Sequence, residues 1–169
     1  LSIRRQRQMC IRDSLEPFML TLTRPSRTAA GSLLLAMLGI ELGGNYILDL
    51  VQDKAPATEF QQTFARAGHG HAGALATLGL ATIVLTDAAG LSGIRGHIAR
   101  WAVPVSAVIM PAGFFFSSAG QGATKPNAFY PLIYVGAGTL ATGLVVLGGS
   151  LLSESIRGCL LYTSDAADE

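Results

Sequence analysis

The chain has 169 residues, of which 50% are hydrophobic and only 14% are charged, and its net charge is +1. An average soluble domain carries about a quarter charged residues, so this composition is unusual for a water-soluble protein. The small net charge provides no basic field for a nucleic-acid partner, and the mean hydropathy of +0.43 is high. The few charges are concentrated between long apolar runs, which predicts contact with a lipid bilayer.

The two ends of the chain differ in character from the segment between them. The N-terminal run RRQRQMCIRDS and the C-terminal run CLLYTSDAADE have no hydrophobic periodicity. Both look like translations of the two strands of one transposon-type sequencing adapter. We therefore interpret residues 1–14 and 159–169 as adapter-derived tails and residues 15–158 as the natural membrane domain. Four helices are then a lower bound for the natural protein.

Four apolar runs predict four membrane-spanning helices, at about 28–51, 58–88, 98–119 and 129–152. Each run has about the 20 residues needed to cross about 30 Å of hydrocarbon. Prolines interrupt the third run, but membrane helices tolerate proline as a kink. The connections are short and rich in glycine, proline and polar residues. The predicted fold is therefore an all-α, four-helix transmembrane bundle with up-and-down topology.

The distribution of lysine and arginine predicts the orientation of the bundle. One side carries Arg24, Arg27, Arg95, Arg100 and Arg157. The other side carries Lys54, Arg66 and Lys125. Because short cytoplasmic loops are enriched in basic residues, we predict that both termini lie in the cytoplasm.

Three polar residues lie within the first predicted helix, namely Glu41, Asn45 and Asp49. Steps of four residues advance the helix azimuth by about 40°, so the three side chains share one stripe. An ionised group at the centre of a bilayer costs about 2.5–3.5 kcal/mol on insertion scales. We therefore expect the stripe to face the bundle interior or a water-filled cavity. The alternative is a protonated Glu41 that hydrogen-bonds to Asn45 or to a neighbouring helix.

The second predicted helix begins with two histidines separated by one glycine, in the run RAGHGHAG at 66–73. Residues two positions apart on a regular helix differ by about 200°, so His69 and His71 should point to different sides. His69 shares the side of the small residues Gly68 and Ala72, and we expect it to face the bundle. If the glycines allow the backbone to unwind, both imidazoles would reach one ligand.

The predicted topology gathers these polar residues in the outer half of the membrane. We predict a candidate site there, built on His69, His71, Glu41 and Asp49. Its supporting polar residues are Asn45, Arg66, Ser117, Ser118, Gln121, Lys125 and Asn127. We expect no comparable polar set in the cytoplasmic half. The alternative is a cluster at the membrane interface that only anchors the helix end.

Several ligands are compatible with imidazole and carboxylate side chains, including a divalent transition metal and haem. The cysteines Cys10 and Cys159 lie in the predicted tails, so the natural part offers no thiolate ligand. The remaining histidine, His97, is predicted on the cytoplasmic side, which disfavours a bis-histidine haem within one chain. A proton-relay or anion site built on Arg66 and the histidines needs no metal.

Small residues supply surfaces through which membrane helices approach closely. They recur on three of the predicted helices, at Gly39, Gly43, Gly68, Ala72, Ala76, Gly79, Gly136, Gly138, Gly143 and Gly148. We predict that these surfaces pack the bundle, and a homo-oligomer interface is the alternative.

The runs FARAGHGHAG and MPAGFFFSSAGQGATKPN carry a resemblance to a known group of sequences. They resemble uncharacterised small bacterial membrane proteins with a RAGHxHAG-type second helix. The likeness covers most of 15–158 and implies a bacterial cytoplasmic membrane, with no activity attached. The His-x-His pair also resembles the haem-bearing helices of haem–copper oxidase relatives, over a stretch too short to assign haem.

Three hypotheses about function follow from the sequence. The first is a binding or sensing module with a metal, haem or proton site in the outer half of the bundle. The second is a subunit of a transporter or respiratory complex, in which the same polar residues line a solute or proton path and the glycine surfaces bind partners. An intramembrane enzyme ranks last, because the sequence has no nucleophile–base pair and no HExxH-type set.

Overall fold

The computed structural model describes residues 21–165, with side chains described as far as Ser153. Within this part the chain forms four helices and no strand, which confirms the predicted all-α, up-and-down bundle. They are α1 (Arg24–Val51), α2 (Glu59–Ala88), α3 (Gly93–Ser117) and α4 (Pro131–Asp165). The tail predicted at 1–14 lies outside the described residues, and no side chain of 159–169 is described.

All four helices of the described part are long and apolar enough to cross a membrane. The shortest, α3, has 25 residues, and about 20 suffice for about 30 Å of hydrocarbon. Helices α1 and α2 have 28 and 30 residues. The surplus length places their capped ends beyond the hydrocarbon, where polar residues are solvated. The chain is therefore a multi-pass protein suited to a bilayer.

Local capping explains why α1 begins at Arg24 rather than at the predicted residue 28. The hydroxyl of Thr23 accepts a hydrogen bond from the Ser26 amide, which satisfies one of the free N–H groups of the first turn. Pro25 lies in that first turn, where its missing N–H costs nothing. The cap therefore extends the helix toward the N-terminus, past the point where the apolar run begins.

The start of α3 also lies before its apolar run, at Gly93 rather than at residue 98. The short connection that precedes it contains Gly90 with φ 61°, and Gly93 has φ 62°. Glycine adopts this left-handed conformation without the steric cost of a β-carbon. The Gly90 amide donates to the carbonyl of Asp87 over 3.0 Å. The result is a tight reversal between α2 and α3.

Helix α3 is the centre of the bundle and packs against both α2 and α4, whereas α1 packs mainly against α2. Half of the residues in the α3 span are buried (50%), compared with 6% in the α1 span. The core contains Ile83 and Val103, both fully buried. Helix α1 is thus peripheral, and most of its surface remains uncovered by the chain itself.

Several glycines allow the close helix contacts that the sequence predicts. A β-carbon added to Gly136 of α4 would lie 2.6 Å from the β-carbon of Met110 on α3. One added to Gly79 of α2 would lie 2.9 Å from Leu33 of α1. The same closeness occurs at Gly68 and Gly143, so the packing interpretation is confirmed for these positions. Open space surrounds the glycines Gly39, Gly43, Gly138 and Gly148.

The two ends of the bundle contain different connections. The α2–α3 end contains the beginning of α1 and the connection 89–92. The α3–α4 end contains the connections 52–58 and 118–130. In the predicted orientation the first is cytoplasmic and the second is outer.

Candidate functional site

The polar stripe of α1 lies on the outside of the chain. Glu41, Asn45 and Asp49 are all exposed. The expectation that this stripe faces the interior of the bundle is therefore wrong for the single chain. The periodicity correctly places the three residues along one side of the helix, and neither α2 nor α3 covers that side.

The buried side of α1 explains this orientation. Ala29 and Leu33 are 1% and 5% exposed and belong to the core. They precede Glu41 by twelve and eight residues, which at 100° per residue places them about 120° and 80° to one side of it. The small and aliphatic residues therefore determine which face packs, and the polar stripe remains uncovered.

The two histidines of α2 lie on different sides of an unbroken helix. Residues 59–88 are helical throughout, so the backbone at Gly68–Gly73 is not unwound. His69 is half-buried and faces α1, where a β-carbon added to Gly44 would lie 3.6 Å from its Cε1 atom. His71 is exposed and lies against α3. The two imidazoles do not share one ligand position in this structure.

His71 is held by two contacts. Its ring stacks on Phe114 of α3, with ring centroids 5.0 Å apart and an interplanar angle of 28°. Its Nδ1 atom lies 2.8 Å from the carbonyl oxygen of Ala67. Because a carbonyl oxygen only accepts, Nδ1 carries the proton in this contact. The Nε2 atom of a neutral His71 is then left with a lone pair.

The predicted serines and asparagine at the α3–α4 end form hydrogen bonds with nearby backbone carbonyls. Ser117 and Ser118 donate to the carbonyl of Phe114, over 3.2 and 3.0 Å. The side-chain Nδ2 atom of Asn127 donates to the carbonyl of Phe116 over 2.8 Å, and the backbone N–H of Asn127 donates to the carbonyl of Ser117 over 2.9 Å. These bonds satisfy carbonyls that the end of α3 leaves without helical partners. They anchor the connection 118–130.

Gln61 anchors the same connection from α2. Its Nε2 atom donates to the carbonyls of Ser118 and Gly120, over 3.0 and 2.7 Å. Gln61, Gln121 and neighbouring backbone line a cavity of about 570 Å³. The remaining predicted residues of this end, Arg66 and Lys125, are exposed.

The predicted site residues are thus spread over several surfaces. His69 lies beside α1, His71 lies beside α3, and Glu41 and Asp49 lie on the uncovered face of α1. Within the described residues, no group of three or more His, Cys, Asp or Glu side chains is arranged to hold a metal ion.

The best-connected polar cluster lies at the opposite, α2–α3 end. Nη2 of Arg100 on α3 is 2.8 Å from Oδ1 of Asp87 on α2, and the Asp87 side chain is only 1% exposed. Nε of Arg100 donates to the hydroxyl of Ser26 on α1 over 2.6 Å. A third donor, Nη1, reaches the carbonyl of Gly96 at 3.1 Å. One guanidinium therefore connects three helices.

The N-terminal cap of α1 completes this cluster. The amide of Thr23 donates to Oδ2 of Asp87 over 2.7 Å, and its hydroxyl donates to Oδ1 over 3.2 Å. Among the side chains that the structure describes, no buried nitrogen or oxygen lacks a hydrogen-bond partner. A buried charge is tolerated only when it is paired and hydrogen-bonded, and both conditions hold here.

The expectation that this half of the bundle has no comparable polar set is therefore wrong. In the sequence, Arg100 bears only on the predicted orientation of the bundle, and Asp87 has no predicted role. A usable signal was present. Asp87 lies at the end of the second predicted helix and Arg100 lies near the start of the third, with only a short connection between the two helices. Such a pair at a tight reversal is expected to meet.

Comparison of the chain with protein-family models, with curated proteins and with solved structures finds no match.

Proposed function

We propose that this protein is a subunit of a larger membrane assembly, and that α1 contacts the partner through the face that carries Glu41, Asn45 and Asp49. The observation that supports this proposal is the exposure of Glu41 on a helix whose span is only 6% buried. Lipid is a poor neighbour for such a face. A partner would replace that contact with hydrogen bonds.

The free-energy cost of an exposed Glu41 depends on its depth in the hydrocarbon. Glu41 precedes the end of α1 at Val51 by ten residues, or about 15 Å along the axis at 1.5 Å per residue. Because the 28-residue helix is about 42 Å long and the hydrocarbon is about 30 Å thick, about 6 Å of α1 extends past it at each end, and Glu41 lies about 9 Å inside the hydrocarbon. Asp49, by contrast, lies within one turn of the helix end, where water solvates it. Glu41 therefore carries the insertion cost of about 2.5–3.5 kcal/mol if it is ionised in lipid.

The test measures whether any partner covers α1 in the native membrane. A nitroxide label is placed at Leu38, which is 63% exposed on the Glu41 side, and at Val145 of α4, which is 73% exposed. Both labels are introduced through cysteine in a chain with Cys10 and Cys159 replaced by serine. We expect oxygen dissolved in the lipid to relax the label at Leu38 less than the label at Val145. Equal accessibility of the two labels would contradict the proposal.

A second candidate function, a proton-binding site, is supported by the position of His69. Its ring faces Gly44, which is three residues and therefore one turn from Glu41. No hydrogen bond of the His69 side chain is found among residues 21–153. An imidazole ring and a carboxyl group can each accept and donate a proton, so His69 and Glu41 together suit a proton path in a transporter or respiratory subunit. Glu41→Gln should then alter pH-dependent uptake or growth. If uptake and growth match the wild type, Glu41 has only a structural role.

A divalent metal or haem at the histidines is the remaining part of the proposal. His69 or His71 would supply one ligand, and a partner chain would supply the others. Metal and haem analysis of the purified protein tests this directly. If cofactor binds at His69, His69→Ala should abolish binding while His71→Ala has little effect.

The proposed location is a bacterial cytoplasmic membrane, with both termini in the cytoplasm. It is supported by the resemblance carried by the second and third helices and by the excess of arginine at the α2–α3 end. Labelling of single cysteines in the connections 52–58 and 89–92 with a membrane-impermeant reagent tests the orientation. Reaction only at 52–58 from outside the cell is the expected result.

A further inference from the structure

We infer that the partner of α1 is a second copy of this chain, and this inference rests on the proposed function. The two copies meet along a seam of exposed residues on α1. The seam consists of Gly31, Leu34, Leu38, Glu41, Asn45 and Leu48 of α1 together with Gln52, the residue that caps the end of this helix. Successive members are separated alternately by three and four residues, which is the heptad spacing of the contact positions in a two-helix coiled coil.

Every residue of this seam is exposed in the single chain. The leucines are large apolar side chains, with Leu34, Leu38 and Leu48 exposed to 56%, 63% and 52%. The buried core residues Ala29 and Leu33 lie on another face of the same helix. The seam is therefore separate from the surface that holds α1 to the rest of the bundle, and a second helix can occupy it without disturbing the fold.

The heptad spacing predicts how the second helix packs. A repeat of seven residues keeps one stripe in contact when two helices cross at about 20° with a left-handed supercoil. This crossing is the common one among membrane helices. Gly31 at one end of the seam has open space around it, so the backbones can approach closely there.

The chemistry of the two central seam residues favours a second copy over an unrelated helix. Two copies in one membrane have the same orientation, so a two-fold axis along the membrane normal makes their α1 helices parallel. Glu41 then faces Glu41 of the partner subunit, and Asn45 faces the partner's Asn45. A protonated carboxylic acid and a carboxamide each contain a donor and an acceptor, so each group can pair with its own copy.

This self-pairing removes the free-energy cost of exposing Glu41 of a single chain to lipid. The acid is neutral in the pair, so no charge enters the hydrocarbon, and the polar hydrogens are satisfied across the axis. A single asparagine at such a seam position also fixes the register and the two-stranded state of parallel helices. Asp49 lies beside the seam at the membrane edge, where it remains solvated.

Cysteine cross-linking of the purified full chain in phospholipid vesicles tests the seam. Single cysteines are placed at the seam positions Leu34 and Leu38, with Cys10 and Cys159 replaced by serine. The matched off-seam control is Leu35→Cys, because Leu35 is 71% exposed on the same helix. We expect disulfide-linked dimers at the seam positions and little at Leu35. Equal yields at the three positions, or none at any of them, would overturn the inference.

A second measurement follows the association constant by Förster transfer between labelled copies in the vesicles. A polar contact between membrane helices contributes about 0.6–2 kcal/mol, so Asn45→Ala should lower the association constant about 3- to 30-fold. Tyr46→Phe, which alters an exposed neighbour off the seam, should leave it unchanged. Glu41→Gln retains a donor and an acceptor and should preserve the dimer, whereas Glu41→Ala should weaken it. An unchanged constant in Asn45→Ala would refute the pairing.

These results separate the inference from the proposal on which it rests. If the purified chain is monomeric while the Leu38 label is shielded in native membranes, a different protein covers α1. In that case the second copy is excluded and the assembly role stands. If the label at Leu38 is as accessible as the label at Val145 in native membranes, both ideas fail together.

Discussion

The guanidinium of Arg100 and the carboxylate of Asp87 meet 2.8 Å apart across the tight connection between α2 and α3. The Arg100 side chain is 9% exposed and the Asp87 side chain 1%. Because Arg100 also binds Ser26, this ion pair stabilises the attachment of the peripheral helix α1 as well as the α2–α3 reversal. A bundle with few α1 contacts thus has a strong polar connection at one end.

Removing Asp87 should strongly destabilise the protein. Asp87→Ala leaves a buried guanidinium without its counter-charge, and breaking a buried pair in this way costs about 3–5 kcal/mol. The free energy of unfolding, measured by denaturant titration in detergent micelles, should fall by about that amount. The Thr23 amide loses its acceptor as well, so α1 should loosen first.

The matched control is Arg95→Met, which removes an exposed arginine five residues before Arg100 on the same helix. It should change the free energy of unfolding by less than about 0.5 kcal/mol. The double variant Asp87→Ala/Arg100→Met retains neither charge of the pair. Its loss in free energy of unfolding should therefore be smaller than the sum of the losses in Asp87→Ala and Arg100→Met measured separately. Additive losses would show that the two side chains are not coupled.

The overall fold could be predicted from the sequence because four long apolar runs leave few alternatives. The start of α1 could not be placed by hydropathy, since the cap at Thr23 extends the helix beyond its apolar part. The same limit applies to α3, which begins at Gly93 in the polar connection. Hydropathy locates the apolar part of a helix, and the helix itself continues into the polar residues beside it, to the Thr23 cap in α1 and to Gly93 in α3.

The candidate site was harder to predict for a different reason. Helical spacing gives the positions of Glu41, Asn45 and Asp49 relative to one another, which the structure reproduces. It does not give the direction of the stripe, which depends on how Ala29 and Leu33 pack. Spacing also separated His69 from His71 correctly, because that separation is internal to α2. Contacts within one helix are predictable, and the direction in which a helix faces requires its neighbours.

Gly136→Ala should destabilise the α3–α4 contact. The added β-carbon would lie 2.6 Å from the β-carbon of Met110 and 2.8 Å from its backbone, and the backbone cannot move aside cheaply. Overpacking of this kind costs about 1–3 kcal/mol in the free energy of unfolding. Gly138→Ala is the control, since nothing lies within 4 Å of its added β-carbon. Because alanine favours helix, Gly138→Ala should be neutral or slightly stabilising. Equal losses in the two variants would contradict the packing argument.

Gln61→Ala should release the connection 118–130 from α2. The substitution removes the bonds to the carbonyls of Ser118 and Gly120 and breaks the capping box with Thr58. The two lost bonds to the connection contribute about 1–3 kcal/mol together, so amide hydrogen exchange in the connection should accelerate about 5- to 150-fold. The neighbouring variant Gln62→Ala alters a half-buried side chain of the same type and leaves the two bonds of Gln61 in place, so it should leave exchange unchanged. The idea fails if the two variants accelerate exchange equally.

The tautomer of His71 decides which of its nitrogens is available to a proton or a metal. Its Nδ1 atom donates to the Ala67 carbonyl over 2.8 Å, so neutral His71 should carry its proton on Nδ1. Nitrogen-15 NMR of histidine-labelled protein at alkaline pH measures this directly, with His71→Asn used to assign the signal. Phe114→Leu removes the stacked ring and should shift the His71 resonances without changing the tautomer. A proton on Nε2 would contradict the observed contact and would leave Nδ1, which lies against the helix backbone, as the basic atom. A ligand would then need a local rearrangement of α2 to reach it.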